Sequence, residues 1–83
     1  MEYQEIMYPL KPYPIKYKNH RYTIFSRFTA DDKFCFMLYE DSKLLKEWCH
    51  DKIKFIEDDF DTDGQTFADQ MKEIYLYIKK HNS

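Results

Sequence analysis

The sequence predicts an α+β fold: a small antiparallel sheet, as a hairpin or three strands over about 15–40, followed by two amphipathic helices over about 42–58 and 66–80. Three observations carry this. Residues 20–28 and 33–40 are rich in Tyr, Thr, Ile and Phe arranged at period two. Residues 42–60 and 66–80 instead gather apolar residues at helical spacing. Turn-forming residues separate these runs, and 83 residues set the scale of a single domain spanning 1–83.

Residues 1–14, MEYQEIMYPLKPYP, carry Pro9, Pro12 and Pro14. Proline fixes φ and removes an amide donor, so an extended arm is expected. Pro9-Leu10-Lys11-Pro12 also has the PxxP spacing of SH3 ligands, a pattern common by chance. Residues 15–28 read as strand, with Lys18-Asn19-His20 able to turn a hairpin. In 20–28, Tyr22, Ile24, Ser26 and Phe28 would look inward, and Arg21, Thr23, Phe25 and Arg27 would form a half-wet face.

Thr29-Ala30-Asp31-Asp32 is a turn, and 33–40, KFCFMLYE, is the strongest strand signal. Phe34, Phe36 and Leu38 line one face, and Cys35, Met37 and Tyr39 the other. Both faces are apolar, the pattern of a strand covered on two sides. A chain this short has little material to cover both. Either a helix packs on each face, or one face is offered to a partner.

Residues 42–60 fit a helix with Ser42 as N-cap. Leu44, Leu45, Trp48, Cys49, Ile53, Phe55, Ile56 and Phe60 fall within one half-turn, and only Lys52 intrudes. Adjacent Leu44 and Leu45 break a period-two reading, although a third meander strand over 43–49 is the rival. Phe67, Met71, Ile74, Tyr75 and Ile78 form the stripe of the last helix, with Leu76 on its charged side. Thr66 and Asp69 approximate a capping box, and Lys79, Lys80 and His81 complement the helix C-terminus.

Charge is sharply divided. Residues 57–70, EDDFDTDGQTFADQ, hold six carboxylates, no basic residue and Gly64, the sole glycine. Residues 8–30 carry Lys11, Lys16, Lys18, Arg21 and Arg27 with no carboxylate until the next turn. The net charge of −2 thus hides two opposed poles, which suggests binding surfaces. Eight Tyr and seven Phe exceed the needs of a minimal core, and Tyr suits half-wet interfaces.

Catalysis is not expected. One glycine cannot build a phosphate-cradling loop. Cys49 and His50 are adjacent, so on a helix they would diverge by about 100° rather than meet. His20, His50 and Cys35 lack the spacing of a metal site, and no cofactor is expected. The opening MEYQEIMYPL lacks the basic and apolar regions of a secretory signal. Cys35 and Cys49 could form one disulfide, but a cytoplasmic setting, with both as free buried thiols, is therefore expected. No apolar run reaches the ~18 residues of a membrane span.

The acidic segment has three readings. The first is structural: carboxylates ahead of a helix stabilise its N-terminus by ~0.3–1 kcal/mol each. In the second, Asp59-Phe60-Asp61-Thr62-Asp63-Gly64 resembles the opening of an EF-hand loop. The resemblance implies weak calcium coordination by Asp59, Asp61 and Asp63, with Gly64 at the sharp turn. Thr66 and Gln70 depart from the family at its eighth and twelfth loop positions. In the third, Glu57, Asp58, Asp59, Asp61 and Asp63 form a patch that docks on a basic surface of a partner protein.

The third reading leads to a small intracellular protein-binding module. Size, acidity and aromatic richness are similar in kind to phage- or mobile-element-type inhibitors of nucleic-acid-handling host enzymes, such as anti-restriction and anti-CRISPR proteins. The alternative is a nucleic-acid-binding regulator. It would use Lys11, Lys16, Lys18, Arg21 and Arg27 for phosphates, with Tyr17 and Tyr22 for stacking. Pairing of the two poles between copies would give salt-sensitive oligomers.

Overall fold

The computed structural model describes residues 11–83. The fold is α+β, as expected: a four-stranded antiparallel sheet followed by two helices. The strands are β1 (Tyr13–Tyr17), β2 (His20–Phe28), β3 (Lys33–Glu40) and β4 (Lys43–Asp51), in the meander order β1-β2-β3-β4. The helices are α1 (Lys52–Asp61) and α2 (Gln65–His81). The chain divides into two compact units, one ending at Lys52 and one spanning Ile53–Ser83. Among the described residues, no helix is long and apolar enough to cross a membrane.

β1 begins inside the expected arm and takes in Pro14, opposite Thr23 on an edge strand. An edge position is where proline's missing donor costs least. The PxxP motif lies partly outside the described residues, since Pro9 and Leu10 precede them. Tight turns join the strands. Lys18, Asp32 and Asp41 each adopt positive φ there, at 55°, 62° and 56°. In the β2–β3 turn the Thr29 hydroxyl donates to the Asp31 carboxylate and holds it below the ordinary aspartate range.

Residues 43–51 form a strand, the rival reading of 43–49, in place of the helix expected from 42 onward. The adjacent leucines that argued against a strand are absorbed by an irregularity. Leu38 pairs with Lys46 while the next residue, Tyr39, pairs with Leu44, so Leu45 is the extra residue of a β-bulge. Period two is broken where the bulge sits and nowhere else. Ser42 accordingly lies in the β3–β4 turn and caps no helix. The helical run then starts at Lys52, whose amide donates to the Asp32 carbonyl at 2.9 Å. Its Nζ lies 3.4 Å from Asp32 Oδ1 and 5.6 Å from the centre of the Phe28 ring. The one cation in the expected stripe thus anchors the end of the sheet unit.

The register sorts side chains onto two faces. Tyr22, Ile24, Phe34, Phe36, Leu38 and Trp48 share one face and are buried. Opposite them lie Lys16, Arg21, Thr23, Phe25, Arg27, Cys35, Met37, Tyr39, Leu44, Glu47 and Cys49. On this second face Phe25 is 36% exposed and Leu44 46%. The two-sided apolar pattern of β3 therefore marks one buried face and one face that is open at Phe25 and Leu44 beside half-buried Met37 and Tyr39, while Cys35 on it is buried.

Cys35 faces Cys49 across β3–β4 with Cα atoms 4.0 Å apart, and the two form a disulfide. Free thiols were expected, because the opening sequence pointed to a reducing cytoplasm, and the helix assignment for 42–58 did not bring the two residues together. With 43–51 as a strand, the tight turn at Asp41-Ser42 puts the two residues opposite one another. By the chain-entropy relation, a loop of this size contributes about 3 kcal/mol. A Cys35→Ala, Cys49→Ala double variant should lose stability of that order in urea melts of the oxidised protein, read by Trp48 fluorescence. Equal stability of the variant would show that the bond adds nothing to a hairpin already paired.

In the second unit, Phe55, Gln70, Ile74 and Ile78 are buried. Asn82 closes α2, its amide and side chain both donating to the Ile78 carbonyl. Lys79, Lys80 and His81 occupy the last turn, where cations complement the helix dipole.

Candidate functional site: the acidic tip of the first helix

Helix α1 ends in a Schellman motif. The Gly64 amide donates to the Asp59 carbonyl at 2.8 Å and the Asp63 amide to the Phe60 carbonyl at 3.3 Å. Asp63 and Gly64 both take positive φ, 54° and 87°. A Cβ on Gly64 would meet nothing within 4 Å, so conformation and not space selects glycine there.

The same turn starts α2, and every amide of its first turn is satisfied. Gln65 donates to the Thr62 carbonyl, Thr66 to Thr62 Oγ1, Phe67 to Asp59 Oδ1 at 2.8 Å, and Ala68 to the Gly64 carbonyl. The expected Thr66–Asp69 capping box is not formed. Asp69 accepts instead from Gln65 Nε2 at 2.7 Å. The caps are supplied from further upstream, by Thr62 and Asp59.

Asp59 therefore has a structural duty that the other carboxylates lack. Asp59→Ala should cost about 1 kcal/mol, the usual worth of a cap, and Asp59→Asn much less. Thermal melts of the two variants measure this. Equal losses would mean that the charge, not the hydrogen bond to Phe67, matters.

Of the remaining acids, Asp58 Oδ2 pairs with Lys54 Nζ at 3.2 Å, one turn back on the exposed surface. Glu57, Asp61 and Asp63 are exposed, and among the described residues no ion pair neutralises them. Glu57 and Asp61 are like charges at i, i+4, a mildly destabilising arrangement.

An apolar component accompanies the charge. Within a helix starting at Lys52, residues at i, i+4, i+7 and i+8 share one face. Ile53, Glu57, Phe60 and Asp61 form that face, pointing away from buried Phe55. Ile53 is 59% exposed and Phe60 84%. In the wheel drawn from Ser42, both fell at the far rim of a broad apolar half-turn and looked like core. The shorter helix leaves them outward. Phe60 is the site residue that the sequence concealed, and its position between Asp59 and Asp61 was the available signal.

The EF-hand-like constellation does not converge. Asp59 and Asp61 lie within α1, about 200° apart around its axis. Asp59 Oδ1 is taken by the Phe67 amide. Among the described residues, the cluster with metal-ligand proximity is Cys35, Glu47 and Cys49, and there the two sulfurs are bonded to each other.

The basic segment is split by the pleat. Lys16, Arg21 and Arg27 share the open face of the sheet, with Lys16 directly opposite Arg21. Tyr17 and Tyr22 point to the other face, and Tyr22 is only 1% exposed. Lys18 sits in the β1–β2 turn over the Tyr17 ring, and Lys11 precedes β1.

Two parts of the molecule are thus chemically distinct. Residues 11–52 carry nine Lys and Arg against six Asp and Glu, whereas residues 53–83 carry four against seven. No protein-family model, no curated protein and no solved structure matches the chain.

Proposed function

We propose that this chain is a non-catalytic protein-binding module that docks through the outward face and C-terminal turn of α1 on a basic surface of its partner. The observation that carries the reading is Phe60, 84% exposed within a run of carboxylates. A large ring held in water costs stability that the fold has no need to spend. Exposed anchors at i and i+7, here Ile53 and Phe60, suit helix-in-groove recognition. Glu57, Asp61 and Asp63, with Asp58 beside Lys54, would steer association and set register, while the two apolar side chains supply affinity.

Inhibition of a nucleic-acid-handling enzyme is the specific form of this reading. A groove built for phosphates is basic, and the acidic face of α1 presents comparable charge. The compartment under this reading is the cytoplasm. There Cys49, an exposed residue, meets the glutathione pool, and a thiol count on protein alkylated during lysis reports whether the Cys35–Cys49 bond persists.

The nucleic-acid alternative has less support, because Lys16, Arg21 and Arg27 lie on the face of the sheet opposite Tyr17 and Tyr22, and Tyr22 is buried. Filter binding with single- and double-stranded DNA at low salt tests it directly.

The docking reading is tested by affinity capture with the wild-type chain and a variant carrying Glu57→Gln, Asp61→Asn and Asp63→Asn, leaving Asp59 intact. Partners held by wild type at ~50 mM salt should be released at ~500 mM, where the screening length falls below ~5 Å. They should be depleted from the variant. Equal capture by both chains at low salt would refute the site.

A further inference from the structure

The open face of the sheet carries the complement of the α1 surface. A groove of about 500 Å3 runs along it, lined by Phe25, Arg27, Met37, Tyr39, Asp41 and Ser42. Phe25 and Tyr39 meet edge to face, with ring centres 5.3 Å apart, and Met37 lies between β2 and β4 on the same face. This floor is apolar and adaptable, suited to receiving another ring. Arg27 lines it, and Lys16 and Arg21 lie on the same face of the sheet. Of these three, Arg27 alone meets an acid among the described residues, Glu47 at 3.8 Å, in a partly exposed pair.

Both surfaces hold like-charge repulsion. Lys16 opposes Arg21 across β1–β2, and Glu57 precedes Asp61 by one helical turn. Bringing the two together relieves both at once. It also removes Phe60 from water into a groove edged by aromatic rings.

We infer that the occupant of the β2–β3 groove is the α1 face of a second copy of this chain, so that copies associate head to tail through Phe60. This rests on the docking reading of α1 and names one partner for it. The contact is heterologous: the groove of one copy receives the helix of the next, so an open chain of copies keeps one unfilled groove at one end and one free helix at the other unless a ring closes. The assembly is electrostatically assisted, so it weakens with salt.

Sedimentation velocity across a concentration series, at about 50 and 500 mM salt, reads this directly. Wild type should form species beyond the monomer at low salt and revert to monomer at high salt. Two variants break opposite halves of the contact: a helix variant, Phe60→Ala with Asp61→Lys, and a groove variant, Arg27→Glu with Arg21→Glu. Unchanged far-ultraviolet circular dichroism verifies that both fold. Each alone should lose at least tenfold in association constant.

Mixed together, the two variants should form a one-to-one dimer and nothing larger, because one intact groove then meets one intact helix. A wild-type chain that is monomeric throughout would overturn self-docking. So would a mixture that stays monomeric, or a helix variant that assembles like wild type. Such a result leaves the docking reading standing if wild type still captures basic partners that the Glu57, Asp61, Asp63 variant loses. Loss of that difference brings down the docking reading itself.

Discussion

Phe60→Ala should weaken partner binding by about 2 kcal/mol or more, roughly thirtyfold in Kd, while leaving the fold intact. The two halves of this expectation come from the same fact. A ring 84% exposed has almost no native contacts to lose, so truncation should move stability by no more than about 0.5 kcal/mol. In a complex the same ring is the largest apolar surface on the outward face of α1. Ile53→Ala should give a smaller loss, being less exposed and further from the acidic turn. Isothermal titration calorimetry with the captured partner measures both. A binding loss matched by an equal stability loss would mark Phe60 as a structural residue and remove the basis for the site.

The second large effect belongs to the core. Leu38→Ala should destabilise the chain by about 2–5 kcal/mol, since it removes three buried carbons and leaves a void. Leu38 is fully buried on β3, flanked by Ile24 of β2 and Lys46 of β4 in the register. Leu76 on α2 is half exposed, and its truncation should change little. Urea unfolding followed by Trp48, which is buried in the same sheet unit, provides the comparison. A Leu38→Ala cost near that of Leu76→Ala would mean that the sheet core repacks freely.

What could be read in the sequence follows from how regular each segment is. β2 and β3 alternate without a defect, and their inward residues Tyr22, Ile24, Phe34, Phe36 and Leu38 are buried, with Cys35 the buried residue of the other face. α2 spans Gln65–His81 against an expected 66–80, because its stripe keeps helical period throughout. β4 was hidden by one extra residue. Leu44-Leu45 reads as helix until a bulge opposite Leu38 and Tyr39 is allowed, and a bulge leaves no composition signal of its own.

Two consequences followed from that single slip. The disulfide, a pairing open to the two cysteines, lost its geometric support because Cys35 and Cys49 meet only in the β3–β4 register. Ile53 and Phe60 were assigned inward because a helix drawn from Ser42 has a wider apolar arc than one starting at Lys52. The acidic cluster, by contrast, was evident as charge. Its division of labour was not. Asp59 caps α2 through the Phe67 amide, whereas Glu57, Asp61 and Asp63 remain in solvent, and only the chain's path through Gly64 separates those roles.

The most direct measurement of the central claim is hydroxyl-radical footprinting of Phe60, with and without the captured partner. Docking through α1 predicts that oxidation of Phe60, fast in the free chain, falls severalfold in the complex, with Ile53 protected alongside it. Labelling of Phe60 that is as fast in the complex as in the free chain would contradict the account.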